Sequence, residues 1–133
     1  MYKEIIDRIT KTIEVEPFNK TVTNGDIFAV DLNKQTLFPL AHIIVNSVTD
    51  YSVTLQFNIT ILFMDIEDGN ANDILDTQLT LATRVIEILN RNTDLFELSN
   101  NPSYEPFNER FENSLSGWAC TFDCIVKNPM VIC

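Results

Sequence analysis

Odd-numbered positions from Tyr51 to Phe63 are apolar without a break: Tyr51, Val53, Leu55, Phe57, Ile59, Ile61 and Phe63. The even positions between them begin polar, with Ser52, Thr54, Gln56, Asn58 and Thr60, and turn apolar at Leu62 and Met64. A period of two predicts a β-strand with one buried face. Apolar residues on both faces near its end predict cover on both sides there. At ~3.4 Å per residue, about 14 residues would span roughly 45 Å, whereas a domain of this length has a radius of gyration near ~14 Å. Part of the strand is therefore expected to project beyond the body of the fold, unless a bulge or bend divides it. Tyr51, Val53 and Leu55, at the projecting end, are the candidate contacts with a neighbouring subunit.

The remaining pattern supplies two helices and several shorter strands. Tyr2, Ile5, Ile6, Ile9 and Ile13 fall on one helical face, with Lys3, Glu4, Asp7, Arg8 and Lys11 on the other, so a helix is expected over 2–13. Pro17 and a polar stretch end it, and Asn24-Gly25-Asp26 signals a turn. Short strands follow over 27–32 and 40–45, and 46–50 is expected to turn as a hairpin into the long strand. A second helix is expected over 72–91, its apolar stripe covering the long strand through Leu75, Leu79, Ala82 and Ile86. Residues 92–106 look loop-like, with a short strand possible at 95–98, and 106–111 reads weakly as a strand. The last strand carries Trp118, Cys120, Phe122, Cys124 and Val126 on one face and ends by Pro129. The order predicts an α+β fold: a mixed, mainly antiparallel sheet with one over-long strand, flanked by two α-helices.

At 133 residues the chain is expected to form a single domain over 1–133. An apolar share of 45% and three glycines suit a packed core rather than disorder. Nineteen acidic against nine basic side chains give a net charge of −10. Such a surface repels phosphate, which argues against gripping nucleic acid, and it suits either plain solubility or basic partners. No stretch approaches ~20 consecutive apolar residues, so no membrane span is expected. The N-terminus carries acids from Glu4 onward and does not read as a signal peptide. With an odd number of cysteines in no secretory pattern, a cytoplasmic origin with free thiols is expected.

The side-chain inventory offers little for catalysis. His42 is the one histidine and sits inside the apolar run LAHIIV, with no orienting partner in sight, so it is expected to be structural. Cys120 and Cys124 share a strand face but stand about 13 Å apart at ~3.3 Å per residue, too far for a disulfide or a shared zinc. They are expected to be small core residues, while Cys133 is terminal. The acidic stretch Asp65, Glu67, Asp68, Asn70, Asn72, Asp73 fails the EF-hand pattern, because its Gly69 would require a ligand where Met64 stands. Gly25, Gly69 and Gly117 are isolated, so there is no phosphate loop. No enzyme activity, cofactor or metal is expected.

A series of stretches resembles small structural proteins of tailed bacteriophages. They are Phe38-Pro39-Leu40-Ala41-His42, Phe57-Asn58-Ile59 running into Ile61-Leu62-Phe63-Met64-Asp65, and the helix start Asp73-Ile74-Leu75-Asp76-Thr77. Pro106-Phe107 with Glu109-Arg110-Phe111, and Gly117-Trp118 leading to Asn128-Pro129, complete it. In order and spacing this is similar to phage and prophage proteins of the neck and tail-terminator type. The resemblance implies a virion protein, made in the host bacterial cytoplasm, that closes into a homo-oligomeric ring at the head–tail junction or tail end. It implies six-fold or twelve-fold symmetry, other neck or tail proteins as neighbours, and DNA passing through without specific binding. Two other classes fit the composition: an acidic DNA mimic that inhibits a host nuclease, and a small cytosolic ligand-binding domain.

Overall fold

The computed structural model describes residues 2–16, 21–25, 39–66, 71–91, 95–110 and 115–127, and among these the apolar rows of the sequence become two helices and five strands. In chain order these are α1 (Tyr2–Glu14), β1 (Thr21–Asn24), β2 (Leu40–Asp50), β3 (Thr54–Ile66), α2 (Ala71–Arg91), β4 (Glu97–Arg110) and β5 (Leu115–Lys127). The strands lie in the order β1-β2-β3-β5-β4. β1 runs parallel to β2, and every other neighbouring pair is antiparallel. This is the expected α+β fold with a mixed, mainly antiparallel sheet. Because β3 and β4 both run antiparallel to β5, they are parallel to each other, and α2 is the crossover between them with β5 in the gap.

Both helices pack on one face of the sheet. Ile5, Ile6, Ile9 and Ile13 of α1 share a core with Leu81, Ala82, Val85, Ile86 and Leu89 of α2. From the sheet come Ala41 and Ile43, the odd row Phe57, Ile59, Ile61 and Phe63, and the even row Cys120, Phe122, Cys124 and Val126. The buried odd row of β3 beneath α2 is as the alternation predicted. Of the stripe expected on α2, Ala82 and Ile86 are buried in this core, while Leu75 and Leu79 are only half-buried and Ile74, Gln78, Leu81 and Val85 are buried in their stead. Trp118 Nε1 donates to the Leu75 carbonyl at 2.7 Å, tying the first turns of α2 to β5. Thr12, buried on α1, satisfies its hydroxyl by donating back to the Arg8 carbonyl. On the opposite face a smaller buried cluster gathers Leu40, Leu62, Met64, Phe107 and Leu115, where the even row of β3 turns apolar.

The structure departs from the sequence expectation in four places. The hairpin does not turn at 46–50: β2 continues to Asp50 and the reversal falls at Tyr51 to Val53, so β3 begins at Thr54. β3 does not project alone either, because it is paired with β5 along its whole length, from Thr54 opposite Lys127 to Ile66 opposite Leu115. Lastly, most of 97–110 is a single strand rather than a loop with two short strands. β1 was hidden too: Thr21, Val22 and Thr23 are β-branched but short and mostly polar, and only pairing with residues 40–43 makes them a strand. The expected strand over 27–32 lies outside the described residues, as do the turn at 67–70 and the tail from 128.

Candidate functional site

The end of the β2–β3 hairpin begins with an irregularity in the ladder. Val45 pairs with Ile59 and Ser47 with Asn58, so Asn46 is the extra residue of a bulge. Its side chain holds the bulge in place: Asn46 Nδ2 donates to Asn58 Oδ1 at 2.9 Å and to Thr60 Oγ1 at 2.7 Å. Asn58 Nδ2 in turn donates to Asp123 Oδ1 at 2.8 Å, and the Thr60 and Thr121 hydroxyls meet at 3.0 Å. A bulge raises the local twist and re-aims the strand beyond it. It also swaps which parity of β2 faces the helices, placing Val48 opposite Phe57 on the helix side.

Past the bulge every residue of β2 is exposed, and the chain reverses tightly. Tyr51 N–H donates to the Thr54 carbonyl and Val53 N–H to the Tyr51 carbonyl, both at 2.9 Å. The second bond closes a three-residue γ-turn around Ser52, whose φ of 72° lies in the region that costs an L-residue energy. Asp50 Oδ1 accepts from Ser52 N–H at 2.7 Å and steadies the reversal. The turn leaves Tyr51 58% and Val53 61% exposed, beside Val48 at 47%. Tyr2, at the start of α1, is 52% exposed and stacks at a tilt on Phe57, with ring centroids 6.5 Å apart. Because Phe57 pairs with Val48, Tyr2 lies on the Val48 side of the hairpin, while Tyr51 and Val53 stand exposed at its turn. Of the three sequence candidates, Tyr51 and Val53 sit on this tip, while Leu55 is half-buried and packs against the core. Sequence reasoning missed Val48, because it lay in the stretch read as a turn, and Tyr2, because its spacing counted it with the core row of α1.

The outer edge of the sheet has a different character. β4 is the outermost described strand beyond β5, and its ladder is broken between Ser99 and Ser103 and again between Phe107 and Arg110. Pro102 and Pro106 lack an N–H to offer. Bulges and prolines are how edge strands are kept from pairing with another chain.

The other singled-out residues are interior. His42 is fully buried, and its Nδ1 lies 2.6 Å from Thr23 Oγ1, joining β1 to β2. Cys120 and Cys124 are fully buried free thiols in the helix-facing row of β5. Burial pushes each thiol up to about 12. The Tyr104 hydroxyl donates to the Cys120 sulfur, and burial raises that phenol to about 12 as well. Glu16 is buried with its Oε2 at 3.4 Å from Arg84 Nη2, within ion-pair reach though not aligned as a hydrogen bond. Asp65 Oδ1 accepts from Ile66 N–H. Among the described residues no three His, Cys, Asp or Glu side chains gather as a metal site, and no helix is long and apolar enough to cross a membrane. No protein-family model matches the chain, and no curated protein matches it in sequence.

Proposed function

We propose that the chain is a structural subunit of a tailed-bacteriophage virion, assembling with copies of itself into a ring at the head–tail junction or the tail end. The observation that carries this reading is the hairpin tip. A strained γ-turn and a side-chain-braced bulge hold Val48, Tyr51 and Val53 out in water at the hairpin end. Exposed apolar side chains gathered in one place, on a backbone ordered at some energetic cost, are what a contact surface requires. The resemblance of the stretches from Phe38 onward to neck and tail-terminator proteins supplies the virion context. The acidic balance fits a channel wall along which DNA slides without sticking.

The test is to concentrate the purified chain and image it by negative stain alongside light scattering. Closed rings of uniform diameter are expected. A compact dimer that inhibits a nuclease, or a monomer that carries a metabolite through purification, would replace this reading with one of the other two classes.

A further inference from the structure

We propose that the segment after β5, Met130-Val131-Ile132-Cys133, of one copy adds as a short strand to the outer edge of β2 in the next copy, along Ser47 to Asp50. This rests on the subunit reading above and names the two segments that meet. β1 borders β2 only along residues 40–43. Among the described residues no strand lies outside β2 beyond that point, and Asn46 to Asp50 are all exposed. The Tyr51 N–H bonds to the Thr54 carbonyl, so antiparallel alternation turns Thr49 toward β3 and leaves the N–H and C=O of Val48 and Asp50 pointing outward. An edge of this kind is a template for another strand. The two sides of the sheet differ here. β4 carries Pro102, Pro106 and two breaks in its ladder, whereas Ser47 to Asp50 hold no proline and no lysine. The bulge at Asn46 limits the open stretch to the four residues beyond it.

The occupant follows from where β5 stops. It ends at Lys127, opposite Thr54, and so delivers the residues after it to the hairpin end of the sheet. Past Asn128-Pro129 stand four apolar residues, Val131 and Ile132 among them β-branched, which matches the open stretch in length and in strand preference. Chain reach decides which copy they serve. From β5 to a strand outside β2 is three strand spacings, about 14 Å. The three steps from Lys127 to Met130 span at most about 11 Å. The segment therefore falls short of the outer edge of its own β2, and a second copy must supply the added strand. Val48, which is 47% exposed in the single chain, gains its missing neighbour from that strand. Because the segment and the edge are different parts of one chain, the contact is head-to-tail and repeats until the rotation closes.

The test uses the whole chain with Thr49→Cys, treated after assembly with a short bis-maleimide that joins the new thiol to the native Cys133. Cys120 and Cys124 are buried and do not compete. A ladder of covalent multimers on a denaturing gel is expected, while the wild-type chain and Thr49→Cys with Cys133→Ser give nothing beyond a dimer. As a second variant, Val131→Pro with Ile132→Pro removes both central N–H groups of the added strand. It is expected to weaken assembly at least tenfold and, at a dilution where wild type and variant are both monomers, to keep the wild-type melting temperature. A missing ladder, unweakened assembly of the proline variant, or a lower melting temperature of its monomer overturns the strand addition alone, provided that the wild-type chain forms rings. A wild-type chain that stays monomeric at every concentration overturns the subunit reading and this inference with it.

Discussion

Gly117 shows how closely β3 and β5 approach at the base of the sheet. A Cβ built there would lie 1.8 Å from the Phe63 carbonyl oxygen and 2.8 Å from Met64 Cα, both backbone atoms that cannot swing aside. Gly117→Ala is therefore expected to cost about 3 kcal/mol or more, the upper end for overpacking, as read from urea unfolding. The buried thiols make a second prediction at this scale. Cys120 and Cys124 are raised from the ordinary 9.0 to about 12, each first of all by burial. The folded state thus keeps protons that the unfolded chain gives up once the pH passes 9. By linkage, the thiols' contribution to stability is complete below pH 9 and is lost as the pH rises through about 12. Unfolding followed from pH 8 to 11 should show stability falling above pH 9. Folded protein at pH 8 should react with a thiol reagent at Cys120 and Cys124 only as fast as it unfolds.

Among the elements, β3 carries the core, and its middle residue is the place to measure it. Ile61 is fully buried between Ile43 and Cys120 in the helix-covered row. Ile61→Ala is expected to cost about 2–5 kcal/mol in chemical unfolding, as for a packed site that relaxes only in part. That row was legible in the sequence because alternation over seven positions has no helical alternative, and both helices were legible from their 3.6-residue stripes. The hairpin end was not. Asn46, Ser47 and Thr49 are polar because they face water beyond the bulge or bond across it, and in a sequence such residues look the same as a turn. β4 was obscured for a related reason. An edge strand with two prolines and two breaks in its ladder carries the composition of a loop, and its long pairing with β5 supplies the order that local preference lacks. The candidate site was legible in part. Tyr51 and Val53 were found from the apolar row, but for a reason the structure changes: they stand out because they are the turn, not because they prolong a strand.

For the whole molecule, the tip is either an assembly device or simply the end of a long hairpin. Tyr51 and Val53 contribute little to the shared core, so charge placed there should leave the fold intact while putting acids into the contact. The most direct measurement is the mass distribution of the purified wild-type chain and of the Tyr51→Asp/Val53→Asp variant, by sedimentation velocity across a hundredfold range of concentration. The wild-type chain is expected to populate one closed oligomer of fixed subunit number. The variant, with an unchanged circular dichroism spectrum and melting temperature, is expected to sediment as a monomer throughout. A wild-type chain that remains monomeric, or a variant that assembles as the wild type does, would contradict the assembly role of the tip.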